Sequence, residues 1–513
     1  MAVILLAKFV RAIKKIILNG LLKRFNYMFE QIVNSERMFL RIDFSLMNIK
    51  KILQSTLVAF VLSVALSAYS SDQKTARPTS EQFMKSVIYQ IHLPIFTQGG
   101  TLESARQMLP HIASLGVDIV YLCPVVEADD DMDMRFWSKR QKESKTGNPK
   151  NPYRIKDYFK IDPQYGGDAD LKNFVDTAHK LGLKVLLDLV YYHCGPTATM
   201  IKEHPDFVVR DEDGNVKNGR WNFPEINFKS RELREYLWKN MEYFVREFKV
   251  DGYRTDVEPS VPADFWAEGY KRIKKINPDV IMVAEGERAD AQADAYDLNY
   301  SFKWQKAIAD VFDGKKPATE LSDLWEKQNK HFVRGARIMR ALDNHDTASD
   351  SFDARYEKRW GNSGFDAVLA LNFTMDGVPM IYNGNEISDT SNLCMFSNRF
   401  YGKYAVDWSN ALTDRGKKRI SFVRDLSSMR HGNPALYSGA TNWLKTDNPE
   451  NVLAFTRNCK KQNIFVAINV SKKDAEFKNP INEPVSKEIL NKGATFTDGG
   501  ILLKPYGFIV FQY

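Results

Sequence analysis

From Ser86 onward the sequence alternates short apolar, strand-like runs with segments of helical periodicity, and this alternation limits the fold more than any other feature. A chain patterned in this way builds a parallel sheet with helices on its faces, because parallel neighbours need a long crossover connection. The runs lie at 87–91, 116–122, 184–190, 250–256, 280–285, about 295–300, 337–343 and 379–382. The spacing predicts helices between them over 102–115, over 168–181 with a stop at Gly182, and over 230–248. In the last of these Leu233, Leu237, Met241, Phe244 and Phe248 recur every three or four residues, as an apolar stripe facing a core does. Eight strands favour a closed (β/α)8 barrel over an open doubly wound sheet, and no glycine-rich dinucleotide turn follows the first strand.

The barrel accounts for 86–429 of a 513-residue chain. Past it, alternating runs at 452–456, 464–468 and 508–511 predict a C-terminal antiparallel β-sandwich over 430–513. Two connections are too long for turns. Residues 126–152 form a charged loop after the second strand, and 194–229 form an insertion after the third, a small subdomain in its own right.

The net charge of +8 belongs to the N-terminus. Residues 1–51 carry ten Lys/Arg against three Asp/Glu, which leaves the rest near +1 and gives no reason to expect a nucleic-acid partner. Lys50 and Lys51 precede an apolar run over 52–68 that ends in small residues, the shape of a signal peptide over 47–70. Export to the periplasm, the cell surface or the medium is therefore expected, with membrane attachment only if the segment stays uncleaved. Tyr69 stands where a lipoprotein needs Cys, so no lipid anchor is expected. Residues 1–46 read as an extension upstream of the true start at Met47, and 71–85 as a polar linker. Cys123, Cys194, Cys394 and Cys459 show neither disulfide nor zinc spacing.

Barrel enzymes keep their chemistry at the C-terminal ends of the strands. Those ends carry Asp188 and His193 (third), Arg254 and Asp256 (fourth), Glu285 (fifth), and His345 and Asp346 (seventh). Arg254 and Asp256 alternate along their strand and so share one side of it. Converging carboxylates suit glycoside hydrolysis, in which one acid must be ionised and another protonated. The expectation is that Arg254 holds Asp256 ionised and that burial raises Glu285. Histidines and acids without HxH or HExxH spacing give no metal assignment. Trp137, Trp221 and Trp266 are candidate sugar platforms.

The segments Asp188-Leu-Val-Tyr-Tyr-His193, Gly252-Tyr-Arg-Thr-Asp256, Ala284-Glu285 and Asp343-Asn-His-Asp346 resemble, in order, the four signature regions of the α-amylase family, glycoside hydrolase family thirteen. Phe223-Pro-Glu-Ile-Asn227 is similar to a fifth region in its neopullulanase-like form, and the match covers roughly 85–430. The resemblance implies a retaining hydrolase of α-glucans or malto-oligosaccharides that needs no cofactor for its chemistry. Asp256 would be the nucleophile, Glu285 the general acid/base and Asp346 the transition-state stabiliser. His193, His345 and Tyr153 would contact the reacting sugar, Arg254 would orient the nucleophile, and Asp188 would be mainly structural, bonding Arg254.

Two departures narrow this. Tyr192 stands where many members have the Asn that serves a structural Ca2+, which argues against calcium there. Val257-Glu258-Pro259-Ser260 lacks the Lys-His pair of many true α-amylases, so specificity on the acceptor side is expected to be written in this loop. A transglycosylase would use the same triad. A non-catalytic membrane-anchored heavy chain would have lost the acids that this chain keeps.

Overall fold

The structure, a computed structural model, describes residues 74–350, 355–391 and 393–513. The expectations for 1–46 and 47–70 lie outside the described residues.

Eight parallel strands form one sheet: β1 (Ile88–Ile91), β2 (Ile119–Leu122), β5 (Lys184–Leu189), β6 (Gly252–Thr255), β7 (Ile281–Ala284), β8 (Leu298–Asn299), β9 (Met339–Arg340) and β10 (Val378–Tyr382). Their order is β8-β7-β6-β5-β2-β1-β10-β9. A parallel bridge between Asn299 and Ile338 joins the two ends and closes the ring. The sixth and seventh strands are only two residues long, so the closure there rests on few ladder bonds.

Strand periodicity decides which residues enter the barrel. Ile88, Ile119, Leu186, Ile281, Val283, Leu298, Met339 and Met380 fill its interior. Their strand neighbours Tyr89, Val120, Leu187, Tyr253 and Met282 join the larger core that includes helix residues such as Leu237, Met241 and Phe244. Two residues beyond Ile88, Ile119, Leu186 and Val283 the same side continues at Gln90, Tyr121, Asp188 and Glu285, and Arg254 and Asp256 follow Gly252 in the same way. The polar mouth is thus the continuation of the apolar interior. Gly252 opens β6 because a Cβ there would sit 1.9 Å from the Ile281 carbonyl oxygen.

Residues 74–85, expected as a linker, are built into the barrel. Thr75 bridges Arg334, Arg77 donates to Asp297 at 3.1 Å, and the short helix Glu81–Lys85 inserts Phe83 among the interior residues as a floor. The helix expected over 102–115 is two, Leu102–Arg106 and Leu109–Ser114. Pro110 lacks an N–H and fits only in the first turn of the second piece.

The charged 126–152 connection contains β3 (Val126–Ala128), paired antiparallel with β4 (Ile155–Ile161), and a short helix Lys139–Glu143. The C-terminal part is a six-stranded antiparallel sheet, β11 (Ala440–Trp443), β12 (Val452–Cys459), β13 (Gln462–Asn469), β14 (Ala475–Phe477), β15 (Lys487–Thr497) and β16 (Gly500–Gln512). Along β16, 501–503 pair with β14 and 508–512 with β13, on either side of Tyr506 at φ 57°. Ile501, Leu503 and Phe477 thereby cluster with Phe465, Ala467 and Phe511, so the expected sandwich is made by one sheet that turns over on itself. Its other face, including Phe455, Val466 and Phe508, joins the main core.

Candidate active site

A cleft of about 840 Å³ opens at the C-terminal ends of the strands, lined by Asp256, Glu285, Asp346, Tyr153, His193 and His345 among others. That is a size suited to a bound small molecule or oligomer.

Arg254 is the hub. It is fully buried. Its Nη1 donates to Asp188 Oδ1 at 2.6 Å and to Asp256 Oδ1 at 2.9 Å, and its Nη2 forms an ion pair with Glu285 Oε1. Asp188 also accepts from the Tyr121 hydroxyl at 2.7 Å and the Tyr153 hydroxyl at 2.8 Å. One guanidinium therefore serves three carboxyl groups. Burial pushes Asp256 up to about 7, and Arg254 is too widely shared to overcome it while Asp188 and Asp346 push the same way. Arg254 acts on Asp256 in the expected direction, favouring the ionised form, but burial outweighs it. Burial also drives Glu285 well above the usual carboxyl range, against the pull of Arg254.

The third acid differs. Burial would raise Asp346, but His345, Arg140 and Arg254 outweigh it and hold the carboxyl at about 2. Arg140 Nη1 donates directly to Asp346 Oδ1. Asp346 is thus ionised, Asp256 loses its proton near 7, and Glu285 is held in the protonated form above that, so Asp256 can be ionised while Glu285 still carries its proton.

The histidines are neutral at pH 7. Burial lowers His345 to about 3 and His193 to about 4. Gln90 accepts the His345 backbone N–H through Oε1, so its amide nitrogen donates to His345 Nδ1 at 2.9 Å. That leaves the Nε2–H for the Tyr153 hydroxyl at 2.6 Å, which in turn donates to Asp188. The Tyr153 and His345 rings stack with centroids 5.1 Å apart. His193 donates from Nε2 to the Tyr153 carbonyl at 2.8 Å, and its buried Nδ1 has no hydrogen-bond partner among the described residues.

The loop after β6 holds the acid in place. Val257 sits in the left-handed region (φ 45°, ψ 45°), an unusual conformation for a β-branched residue, and its N–H donates to Glu285 Oε2 at 2.7 Å. Glu258 turns inward, fully buried against Arg288 at 2.7 Å, and burial raises it to about 6. It cannot touch substrate. Of the loop expected to write specificity, Val257 and Pro259 line the cleft; a Cβ at Gly286 would meet the Pro259 ring at 2.4 Å.

Of the three candidate platforms, Trp137 and Trp266 are packing residues, the latter stacked on Tyr191. Trp221 is 42% exposed at the rim of the cleft, and its backbone is left-handed at φ 60°. The residues that sequence reasoning missed are Gln90, Tyr121 and Arg140. Gln90 carried a signal, as a carboxamide in an otherwise apolar and aromatic first strand.

The Tyr192 ring packs edge-on against His193 and Trp221. Nearby, a cluster of oxygens surrounds a protein cation. The buried Arg154 guanidinium donates to the carbonyls of Phe136 (3.1 Å), Asp129 (3.2 Å), Asp131 (2.8 Å) and Pro149 (3.2 Å), and approaches Asp129 Oδ1 at 3.4 Å. Asp129 Oδ2 in turn accepts from the backbone and hydroxyl of Thr197 in the 194–229 insertion.

A closed barrel with buried carboxyl groups gathered on one arginine at its C-terminal mouth is an enzyme-type site. The family model of the α-amylase catalytic domain matches residues 70–215 and 214–468, and the chain belongs to that family. It is 28% identical over 400 residues to a cyclomaltodextrinase from a Bacillus species, an alignment covering 73% of this chain and 66% of that protein. To α-amylase 2 of Dictyoglomus thermophilum it is 25% identical over 397 residues, covering 74% and 65%. The chain therefore spans just under two thirds of the length of both relatives. A maltogenic α-amylase structure from Thermotoga neapolitana superposes with a TM-score of 0.68 at 25% identity, over 84% of this chain and 96% of that one.

Proposed function

We propose that this protein is a retaining glycoside hydrolase cleaving α-glucosidic bonds, mainly α-1,4, in starch-like glucans or malto-oligosaccharides. The observation that carries this reading is the convergence of Asp256 and Glu285 on the two nitrogens of one guanidinium. That arrangement keeps a nucleophile and an acid side by side on the same bond, as a two-step displacement requires. Asp256 attacks the anomeric carbon while Glu285 gives its proton to the departing oxygen. Glu285, then ionised, takes a proton from water, which displaces Asp256 from the sugar. Asp346, ionised throughout, accepts hydroxyls of the distorted ring, and Tyr153, His345 and His193 present the polar surface against it. The names of the relatives, a cyclomaltodextrinase and α-amylases, support a maltodextrin substrate. The basic and apolar pattern of 47–70 supports export, which N-terminal sequencing of the native protein would test.

The deciding experiment follows the anomeric protons during hydrolysis of maltotriose. The α-anomer should appear first and mutarotate later; an initial β-anomer rules out retention. Asp256→Asn should lower turnover by several orders of magnitude without loss of fold.

A further inference from the structure

If Glu285 protonates the departing oxygen, the leaving sugar lies on the Glu285 side of the cleft. That side is formed by the loops after β6 and β7, with Val257, Pro259 and Gly286. The chain on the other side of the scissile bond must run the opposite way, past Asp346. There the cleft is lined by two connections, those after β2 and β10, through Arg140, Met395 and Phe396.

The two are tied together. Asn148 Nδ2 donates to the Phe396 carbonyl at 2.9 Å, and Gln141 Nε2 donates to the Asn148 carbonyl at 3.0 Å. From this lining Arg140 reaches Asp346 Oδ1 and contacts the Met395 sulfur. A sugar seated on Asp346 would have the guanidinium against its far side, where a longer chain would continue.

We propose that Arg140, carried by the tied loops after β2 and β10, closes the donor end of the cleft and confines cleavage to the non-reducing ends of malto-oligosaccharides. The inference rests on the reading of Glu285 as the acid. It makes Arg140 a specificity-determining residue, which excludes internal segments of a glucan by occupying their path.

The test compares two maltoheptaosides carrying the same fluorophore at the reducing end, one with a free non-reducing end and one capped there by a 4,6-O-ethylidene group. The wild-type protein should favour the free-ended substrate in kcat/KM by about 100-fold, the scale on which a shaped site rejects a misfit. It should shorten that substrate from the unlabelled end. Arg140→Ala should lose most of the preference by gaining activity on the capped substrate, while Arg140→Lys, which keeps a cation there, should retain more of it. Equal cleavage of both substrates by the wild-type protein would overturn the end-stop and leave the hydrolase reading intact. Cleavage of neither would overturn both.

Discussion

Replacing Asp256 by Asn should stabilise this protein, and by an amount that depends on pH. In the unfolded chain the carboxyl ionises near 3.8, whereas in the folded site burial holds the proton to about 7. Between those pH values the unfolded state binds fewer protons than the native state, so native stability falls as pH rises, and the loss is complete above about pH 7. At about 1.4 kcal/mol per pH unit the gap amounts to about 4 kcal/mol. Asn has the shape of the protonated acid and no charge to desolvate, so it escapes this cost. For a unit of this size an entropy of unfolding of about 2.1 cal/mol/K per residue converts the difference to a Tm gap of about 4–5 °C. Differential scanning calorimetry of both proteins at pH 4 and pH 8 provides the assay. They should melt together at pH 4, with the variant ahead at pH 8. A gap that is the same at both pH values would refute the reasoning, because a lost or gained contact does not titrate.

Three further outcomes follow from the site and the barrel. In the pH profile of kcat/KM the acid limb should lie near 7 rather than near 4, since Asp256 must be ionised to attack, with a basic limb above it where Glu285 loses its proton; a limb near 4 would show Asp256 to be an ordinary carboxylate. Incubation with EDTA should change neither Tm nor turnover, because Arg154 fills the oxygen cluster beneath the 126–152 connection; a drop in Tm that calcium restores would contradict this. Phe83→Ala should cost about 3–5 kcal/mol by emptying the floor of the barrel, and chemical denaturation that finds less than about 1 kcal/mol would mean the helix Glu81–Lys85 is only loosely attached.

The parts of this molecule that could be read from sequence are those governed by local periodicity. The alternation of strands and helices placed Asp188, Arg254, Asp256 and Glu285 at C-terminal strand ends, and strand period two set Arg254 and Asp256 on one side of theirs. The helix Arg231–Glu247 follows its apolar stripe, with Ser230 as the N-cap. What escaped depends on contacts between distant segments. Arg140 lies in a charged stretch without periodicity, and only the fold of the connection brings it to Asp346, more than 200 residues away. The pKa of Asp256 depends on how many acids share Arg254, which the dipeptide spacing of Arg254 and Asp256 does not reveal. Residues 74–85 looked like a linker because a single Phe and one helical turn make almost no pattern. Glu258, polar and two residues after Asp256, faces inward because Val257 reverses the backbone.

Arg154 has a consequence for how the site comes into being. Its acceptors are spread over 129–149, and the partner of Asp129 lies on the insertion at Thr197. None of these segments can settle until β4 delivers the side chain, and none can leave singly without stranding buried carbonyls or a buried charge. The connection that carries Arg140 and Tyr153 should therefore open in native-state hydrogen exchange as one cooperative block, together with the start of the insertion. The far wall of the cleft is thereby expected to be gained and lost as one unit.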